Sequence, residues 1–578
     1  MKRREMIKKS LGGGALLALT NPLEILAKGA TDAEELTGTG NALRFPPVFA
    51  NGGTMTLSET NVNVWPGQNT LGIVINGSYP GPSVVIQKGQ TFTANFVNQL
   101  NEPATIHWHG VSTPELMDGH PKDAIAPGGS YTYTFPVGNR GGTYFYHAHA
   151  DMRTAEQVYK GFAGFFIVED PAEIPLGLPR GNFDIPLCLQ DHRIADIPQF
   201  TYNASMQDRM FGYLGDTVLV NGTPDAYLNV NTTLYRFRIL NGSNARVYKV
   251  ALSDNSPFHI IATDGGLKDE AVQATSFYLS PGERVDILVN FSGYSIGQNV
   301  TLKSQAFSAP GMGTYRQGIE LDLIRFDVTG NQSSGGVVPL TMPSITYYNP
   351  AEAKTVRNFV LSVSGGSMNV HKINGLSFEM ERIDWQTPLN SLEEWKIVNA
   401  TNNIHPMHSH EAQFQVYSRN GVTALAPNDK GWKDTVLVYP FETVRTLVKF
   451  TEYKGIFLYH CHNLEHEDDG MMLNFKIVDP VGINEAGEEI PNTFVLKQNY
   501  PNPFNPSTKI SFELNQSAEV DISVYDQTGK LTATLVDGLV PAGSHEVVFN
   551  ANGLSSGEYF LRMVAGEIVK TIKMTLLK

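Results

Sequence analysis

Four histidine pairs of the form His-x-His constrain this chain more than any other feature of its sequence. Random placement of 15 histidines in 578 residues would give roughly 0.4 such pairs, so these are not coincidental. The pairs are His107 and His109, His147 and His149, His408 and His410, and His460 and His462. Two pairs come from an early region and two from a late one. Pairs in this number indicate metal binding rather than coincidence or a surface role.

The stretch HCHNLEHEDDGMM, residues 460–472, can supply ligands to two different metal sites. It continues the apolar, strand-prone segment GIFLYH, and successive side chains of a strand point to opposite faces. We therefore expect His460 and His462 on one face and Cys461 on the other. Cys461, His466 and Met471 supply a thiolate, an imidazole and a weak thioether, the ligand choice of a blue-copper electron-transfer site that needs one further imidazole. The sequence thus predicts two copper sites joined by a few covalent bonds.

These motifs, with HWHG, HAH and HPMHSH, resemble those of the multicopper oxidases, the family of laccases, bilirubin oxidases and bacterial copper-efflux oxidases. The resemblance covers roughly residues 44–480, and no ligand position is missing. It implies four copper ions: one type 1, one type 2 and a type 3 pair. By position, it implies type 1 ligands His405, Cys461, His466 and axial Met471, type 2 ligands His107 and His408, and type 3 ligands His109, His147, His149, His410, His460 and His462.

Length, charge and cysteine content limit the remaining possibilities. A chain of 578 residues is too long for one core and predicts about three to five domains. The formal net charge of -14 argues against nucleic acid as a partner and favours neutral or cationic substrates. Of the two cysteines, Cys188 lies in the apolar run IPLCL and is predicted to be a buried core thiol, so we expect no disulfide.

The N-terminal residues have the organisation of an export signal. A basic segment, a short apolar segment and small residues near position 28 predict a signal peptide over 1–30. Arg3 and Arg4 favour the twin-arginine type, and a general secretory signal is the alternative. A flexible segment is predicted over 31–43. No window elsewhere is apolar enough to predict a membrane span, so we expect an exported protein in the periplasm, at the cell surface or outside the cell.

The rest of the chain is predicted to be all-β. Short alternating runs such as QTFTANFV are separated by turn clusters such as YPGPS and SPGER, and helical periodicity is scarce. The family resemblance implies three cupredoxin-like Greek-key β-sandwich domains, which we place at 44–172, 178–330 and 335–480. The resemblance places half of the eight histidines of the three-copper centre in the first domain and half in the third, so we expect these two domains to face each other with the metal ions in the seam. The middle domain has no histidine pair and is interpreted as a spacer. Its lone His192 and His259 are interpreted as structural or surface residues.

The composition changes after residue 480. The acidic, turn-rich residues 481–494 predict a linker, and 495–578 alternate like six or seven strands of a small immunoglobulin-like β-sandwich. The runs NYPNPFNPST and SGEYF resemble the C-terminal sorting domain of type IX secretion cargo, which implies the export machinery as a partner. A generic adhesive or carbohydrate-binding sandwich is the alternative.

Two carboxylates complete the predicted chemistry. The positions of Asp118 and Glu467 match the proposed proton donors of copper-efflux-type oxidases, and a carboxyl held on a buried polar route can relay protons to a reduced oxygen molecule. The neighbouring Asp468 and Asp469 are interpreted as solvated loop residues.

The substrate prediction depends on the methionines. Met312, Met342, Met368 and Met380 are dispersed rather than clustered before HPMHSH, so the soft ligand set expected for cuprous ion is absent. We therefore predict a laccase-like enzyme that oxidises phenols or aromatic amines at the type 1 copper and reduces dioxygen to water at the other three. The alternative is a cuprous or metal-ion oxidase. A non-catalytic copper-binding or electron-transfer protein would be expected to lose ligands, and a nitrite reductase would lack His462.

Overall fold

The computed structural model describes residues 40–65, 67–196, 199–308, 316–332, 335–364, 370–480, 494–514, 518–541, 543–565 and 568–578. The predicted signal peptide at 1–30, most of the segment at 31–43 and most of the linker at 481–494 lie outside these residues. Residues 41 and 42, at the end of the segment predicted to be flexible, instead form a short parallel pair with the strand Ala226–Asn231. Among the described helices, none has the length and apolar content needed to cross a bilayer.

The first domain is a sandwich of two sheets around an aromatic core. Phe92, Ala94 and Phe96 are buried on one face of the strand Thr91–Asn98, as its alternation predicts. Phe92 packs edge-on against Trp108 with ring centroids 4.9 Å apart. One sheet has the order Val48–Phe49, Gly81–Gln87, Ala163–Glu169, Gly142–Ala148 and Ile106–His109, and the other Asn69–Ile75, Thr54–Asn63, Thr91–Asn98 and Ser130–Pro136.

The middle domain is a larger sandwich of the same kind. Its core includes Phe237, Phe291 and Phe326, whose rings stack or meet edge-on within 6.3 Å of one another. Its six-stranded sheet has the order Asn41–Ala42, Ala226–Asn231, Leu321–Gly330, Asn299–Ser304, Tyr248–Leu252 and Ser276–Leu279. Its seven-stranded sheet has the order Thr223–Pro224, Thr217–Val220, Asp184–His192, Leu234–Asn241, Arg284–Asn290, Phe258–Thr263 and Gly266–Ala274.

The third domain carries the late histidines on two neighbouring strands. The strand His405–Ser409 runs antiparallel to Gly455–Cys461 with His408 opposite His460. Its sheet has the order Trp385–Pro388, Met472–Val478, Gly455–Cys461, His405–Ser409 and Thr435–Val438. The facing sheet has the order His371–Ile373, Thr355–Val363, Leu392–Asn399, Thr443–Lys449 and Phe414–Arg419. The register places ligand-type side chains of the two strands next to each other.

Helices are few and short in the described residues. The α-helices are Thr154–Tyr159, Met206–Phe211 and Leu464–Asp468, and the 3-10 helices are Glu115–Met117, Pro121–Asp123, Pro171–Leu176, Gly181–Phe183, Phe291–Gly293 and Pro350–Glu352. Ser205 and Asp208 form a capping box at the start of Met206–Phe211. The side chain of Asn463 caps Leu464–Asp468 by accepting from the backbone N–H of His466. The scarcity of helix confirms the all-β fold class.

The C-terminal unit has two sheets and its own core. One sheet is Val495–Leu496, Ser507–Leu514 and Gly543–Asn550, and the other is Leu531–Val540, Ala518–Asp526, Gly557–Ala565 and Ile568–Leu576. Phe504, Phe512 and Phe549 are among the side chains buried between them. The described part of this unit therefore has the number of strands that its alternation predicts. The boundaries of all four units stay a prediction.

Candidate metal centre

Eight histidines meet between the first and third domains. The strands Ile106–His109 and Gly142–Ala148 and the residue after the latter carry the four early ones. The strands His405–Ser409 and Gly455–Cys461, with the residues that follow them, carry the four late ones. All eight side chains are at most 3% exposed. The structure thus brings together the early and late pairs that the sequence predicts to face each other.

Their ring nitrogens form two groups of three. In one group, His109 Nδ1 and His462 Nε2 each lie 3.4 Å from His147 Nε2. In the other, His149 Nε2 lies 3.4 Å and His410 Nε2 3.2 Å from His460 Nε2. Each group therefore combines residues of the first and third domains around one small volume.

The other two histidines form a pair beside these groups. His107 Nε2 and His408 Nε2 are 3.4 Å apart. The ring of His107 stacks on His410, and that of His408 on His109, each with centroids 3.7 Å apart. The pair consequently touches both groups of three, and the eight imidazoles form one continuous cluster.

The ring nitrogens of His107, His408 and His410 that point away from the centre of the cluster form hydrogen bonds to the protein. His107 Nδ1 donates to the carbonyl of Asp118 and His408 Nδ1 to the carbonyl of Asp434, both at 2.8 Å. His410 Nδ1 donates to Asp118 Oδ2 at 2.6 Å. A carbonyl only accepts, so Nδ1 of His107 and His408 must carry the proton. The inward nitrogens of these rings are then unprotonated and present lone pairs to the cluster.

This donor set fits bound copper. Lone pairs that face each other across 3.2 to 3.4 Å repel unless a cation lies between them. Two nitrogens that each lie about 2.0 Å from a metal ion at a near-tetrahedral angle are separated by about 3.3 Å, in agreement with these distances. Imidazole is a good ligand for copper. The agreement with bound copper is in two quantities: the type of the donor atoms and the distances between them.

Burial keeps the imidazoles neutral. Burial, reinforced for most of them by neighbouring imidazoles, lowers the pKa of eight histidines well below its ordinary value; these are His109, His147, His149, His405, His408, His410, His462 and His466. Neutral imidazole is the form that binds metal ions. These eight imidazoles are thus held in their ligand form at neutral pH.

A separate set of ligand-type side chains lies around the thiol of Cys461. We call Cys461, His405 and His466 the mononuclear group. The Sγ of Cys461 lies 3.5 Å from His405 Nδ1 and 3.6 Å from His466 Nδ1, and the two nitrogens are 3.2 Å apart. Met471 is fully buried, and its carbonyl accepts from the backbone N–H of Cys461 at 3.0 Å. Because burial raises the pKa of the Cys461 thiol, a bound cation is needed to hold it as the thiolate.

Three consecutive residues reach three different groups. His460 belongs to the group with His149 and His410, His462 to the group with His109 and His147, and Cys461 to the mononuclear group. This is the alternation expected from the strand: the histidines share one face and the cysteine takes the other.

The mononuclear group is covered by residues that the sequence reasoning missed. His466 Nε2 donates to the carbonyl of Met210, in the helix Met206–Phe211 of the middle domain, at 3.1 Å. Asn403 donates to the same carbonyl at 2.9 Å. His371 is fully buried and stacks on His466 with centroids 3.7 Å apart. A lone histidine and a short helix far away in the chain give no local signal of this contact.

The predicted carboxylates lie beside the histidine cluster. Asp118 is fully buried and accepts from His410. Glu467 is 3% exposed, and one of its oxygens lies 3.1 Å from His460 Nδ1. The interpretation of the next two residues as solvated was wrong: Asp468 accepts from the backbone of Thr154 and Ala155 at the start of a helix, and Asp469 is buried. A helix N-terminus attracts such a carboxylate, which explains its position.

Two histidines and one cysteine that were predicted to be structural or surface residues occupy buried or surface positions in the middle domain. His192 is buried and donates to the carbonyl of Tyr159 at 3.0 Å, and His259 is partly exposed on a strand of the middle domain. Cys188 is buried in that domain, where burial raises its pKa to about 12. Both cysteines are free thiols.

The interpretation of the middle domain as a spacer was wrong. Its turn at 280–284 packs directly on the histidine cluster. A Cβ on Gly282, which has φ +81°, would lie 3.0 Å from His109 Cε1 and 3.1 Å from His462 Cδ2. A side chain here would therefore displace two imidazoles, and the turn requires glycine.

The low pKa values predict that acid destabilises the metal-free protein. Below about pH 6.5 the histidines of the unfolded chain bind protons that the buried ones do not, so the free energy of unfolding falls as pH falls. Buried carboxyls whose pKa burial raises oppose this trend but are fewer than the histidines; they include Glu411, raised to about 8, Glu465, raised to about 7, and Asp468. We expect the melting temperature of the metal-free protein to fall between about pH 7.5 and about pH 5. Calorimetry should show a shallower fall for His149→Gln; equal slopes would contradict the assignment to buried histidines.

Family models agree with this arrangement. Models of multicopper oxidases match residues 56–173, 184–312 and 338–481. A model of a secretion system C-terminal sorting domain matches residues 498–577. The match confirms the predicted sorting domain and indicates that the protein is exported.

Several proteins resemble the chain over most of their length. A bilirubin oxidase from Albifimbria verrucaria is 30% identical over 521 residues, 82% of this chain and 89% of that protein. A laccase from Bacillus subtilis (strain 168) is 30% identical over 469 residues, 70% of this chain and 90% of that protein. The crystal structure of McoA multicopper oxidase from Aquifex aeolicus superposes with a TM-score of 0.69 at 36% identity, covering 76% of this chain and 99% of that one. The chain therefore belongs to the multicopper oxidases, copper-dependent oxidoreductases that use oxygen as the electron acceptor.

Proposed function

We propose that this enzyme holds four copper ions and couples four one-electron oxidations to the reduction of dioxygen to water. The mononuclear type 1 ion would be held by His405, Cys461, His466 and Met471. The type 2 ion would be held by His107 and His408. The type 3 pair would be held by His109, His147 and His462 on one side and by His149, His410 and His460 on the other. The grouping of the ring nitrogens supports this assignment.

The observation that carries the proposal is the position of Cys461 between two ligand-type histidines. Bound copper supplies one-electron uptake at the mononuclear position and oxygen binding and reduction at the histidine cluster. The chain supplies the connection: Cys461 is bonded through the backbone to His460 and His462, which lie in the two groups of three. Because all these side chains are buried, they are held in place without solvent contact.

We infer that the electron donors are phenols or aromatic amines. A cavity of about 440 Å³ is lined by Tyr202, Arg209, Glu465 and neighbouring residues, and Arg209 directly precedes Met210, whose carbonyl accepts from His466. Glu465 directly precedes His466, and its carboxylate accepts from the Tyr202 hydroxyl at 3.0 Å. The lining contains one aromatic ring, Tyr202, and three carboxylates together with two arginines, so it can accept a small aromatic donor at the ring and an amino or hydroxyl group at a carboxylate.

A cuprous or metal-ion oxidase is the second candidate, and exposed thioethers favour it. Met152, which lines the same cavity, and Met206, in the covering helix, are 58% and 66% exposed. Thioethers are soft ligands for cuprous ion. Met312 and Met368 lie outside the described residues.

Oxygen consumption by the copper-loaded protein tests the proposal. With a phenolic donor as sole reductant, we expect sustained oxygen uptake and only slow uptake with cuprous ion. The reverse order would establish the metal-ion oxidase. Copper bound at a single blue site, without oxygen uptake from either donor, would instead indicate a non-catalytic copper-binding or electron-transfer protein.

Proton supply to the histidine cluster is assigned to Asp118 and Glu467. We expect Asp118→Asn to keep the blue absorption and the copper content, because the amide oxygen still accepts from His410, while oxygen reduction slows by roughly 10²-fold or more because the acid is lost. Copper analysis, visible absorption and stopped-flow oxidation of the reduced enzyme measure the three quantities. Asp123→Asn, a change of the same kind in an ion pair with Lys122, serves as the control. Equal oxidation rates in both variants would contradict the role of Asp118.

A further inference from the structure

One carboxylate of the third domain touches two histidines of the cluster by different atoms. Asp434 Oδ1 accepts from His109 Nε2 at 3.0 Å, and the carbonyl of Asp434 accepts from His408 Nδ1 at 2.8 Å. His109 is the only histidine of the cluster that turns Nδ1 inward among the described contacts. Because Nε2 carries the proton given to Asp434, Nδ1 presents the lone pair. The Thr435 hydroxyl, which donates to Asp434 Oδ1, lies 3.1 Å from the same Nε2, so Asp434 and its neighbour together determine which nitrogen of His109 is free for metal.

Asp434 is itself held by Arg284 of the middle domain. Arg284 Nη1 donates to Asp434 Oδ1 at 2.7 Å and Nη2 to Oδ2 at 2.5 Å, a two-pronged pair between planar groups. Arg284 is fully buried and Asp434 is at most 1% exposed. Burial alone would lower the pKa of Arg284, but Asp434 and Asp264 raise it, so the guanidinium is charged.

The remaining donors of Arg284 bind the first and middle domains, so that with Asp434 the guanidinium contacts all three domains. Its Nε donates to the carbonyl of Thr143 in the first domain at 2.9 Å. Its other two N–H groups donate to the carbonyls of Gly282 and Asp264 in its own domain at 2.7 and 3.0 Å. All five guanidinium hydrogens are thus used in one fixed geometry, which lysine with a single point of charge cannot reproduce.

We propose that Arg284 is a positioning residue for the histidine cluster: the middle domain sets the orientation of His109 and His408 by fixing the carboxylate and backbone of Asp434. The inference deepens the proposed function, because it rests on copper bound at that cluster. A positioning role differs from ordinary core stabilisation in its effect on metal binding. Loss of the two hydrogen bonds from Arg284 to Asp434 would change the metal affinity of the histidine cluster. It would leave the mononuclear site unchanged, because Arg284 makes no described contact there.

The test compares two buried arginines of the middle domain. Arg236 is 2% exposed and pairs with Asp286 at 2.6 Å, as Arg284 pairs with Asp434, but none of its described partners is a histidine. We expect Arg284→Lys to weaken copper binding at the histidine cluster about 10-fold to 100-fold, measured by chelator competition. The near-ultraviolet absorption of that cluster and its type 2 electron paramagnetic resonance signal should fall, and the blue absorption should persist. Arg236→Lys should lower the melting temperature without changing these signals.

The outcomes distinguish failure of the positioning role of Arg284 from failure of the proposed function. Equal copper affinity in Arg284→Lys and Arg236→Lys would overturn the positioning role. A wild-type protein that bound no copper at the histidine cluster would instead overturn the proposed function. If Arg284→Lys does not fold, Asp434→Asn replaces it, because the amide keeps the shape and removes the charge that aligns Arg284. We expect it to show the same selective loss, and an unchanged type 2 signal would again overturn the proposal.

Discussion

Cys461→Ser is expected to abolish the blue absorption and to reduce oxygen uptake with any one-electron donor to background. The Sγ of Cys461 is the only thiol near His405 and His466 in the described part of the chain, and the intense blue colour of such sites comes from copper bound to thiolate. A serine hydroxyl keeps its proton at neutral pH and is a poor ligand. The variant should still bind copper at the histidine cluster, because none of those ligands changes. Visible and near-ultraviolet absorption, copper analysis and an oxygen electrode measure these effects.

The second cysteine provides a matched control. Cys188→Ser places the same hydroxyl in an apolar contact between two domains, where the Cys188 thiol of the middle domain is buried against Phe145 and Phe165 of the first domain. Burying an unpaired hydroxyl costs about 1 to 3 kcal/mol, so we expect a lower melting temperature with unchanged colour and oxygen uptake. Substantial oxygen uptake in Cys461→Ser would mean that electrons reach the cluster by a route other than this residue.

Removal of copper is expected to lower the melting temperature of the oxidase core by on the order of 10 °C. Four of the clustered histidines belong to the first domain and four to the third, so metal binds only when the seam between these domains is assembled. Free copper at about 1,000 times its dissociation constant adds about 4 kcal/mol, and each kcal/mol shifts melting by roughly 2 to 4 °C in domains of moderate size. Without metal, the facing lone pairs also repel.

Differential scanning calorimetry of the copper-loaded and chelator-treated protein measures this effect. The C-terminal unit supplies an internal reference, because its described residues contain no group of metal-ligand side chains and have a separate core. A transition assigned to that unit should not shift. Identical melting of the oxidase core with and without copper would contradict the idea that metal holds the first and third domains together.

The part of this architecture that was predictable from the sequence is the part encoded locally. His-x-His spacing and the order of residues 460–472 are read directly along the chain, and strand alternation converts them into faces. That is why the separation of Cys461 from His460 and His462 was predicted and found. The all-β class follows in the same way from short alternating runs such as Thr91–Asn98.

The part that was not predictable depends on tertiary contacts. Arg284 and Asp434 lie in ordinary-looking segments, SPGER and GWKDTV, and their pairing across domains gives no periodic signal. The same holds for His371, a lone histidine that stacks on His466. Asp468 looked solvated because charged loop residues usually are, yet it caps a helix of the first domain. In each case the deciding partner is more than 90 residues away, beyond the reach of any local pattern.

The contact that covers His466 separates two properties of the enzyme: its preference among electron donors and the electron path from Cys461 to the flanking histidines. The helix Met206–Phe211 comes from the domain that contributes none of the proposed copper ligands, and it meets the mononuclear group through the backbone carbonyl of Met210. Any residue can provide that carbonyl. The outward side chains of this short helix can therefore be substituted, and the donor preference altered with them, without any change in the connection between Cys461 and its flanking histidines.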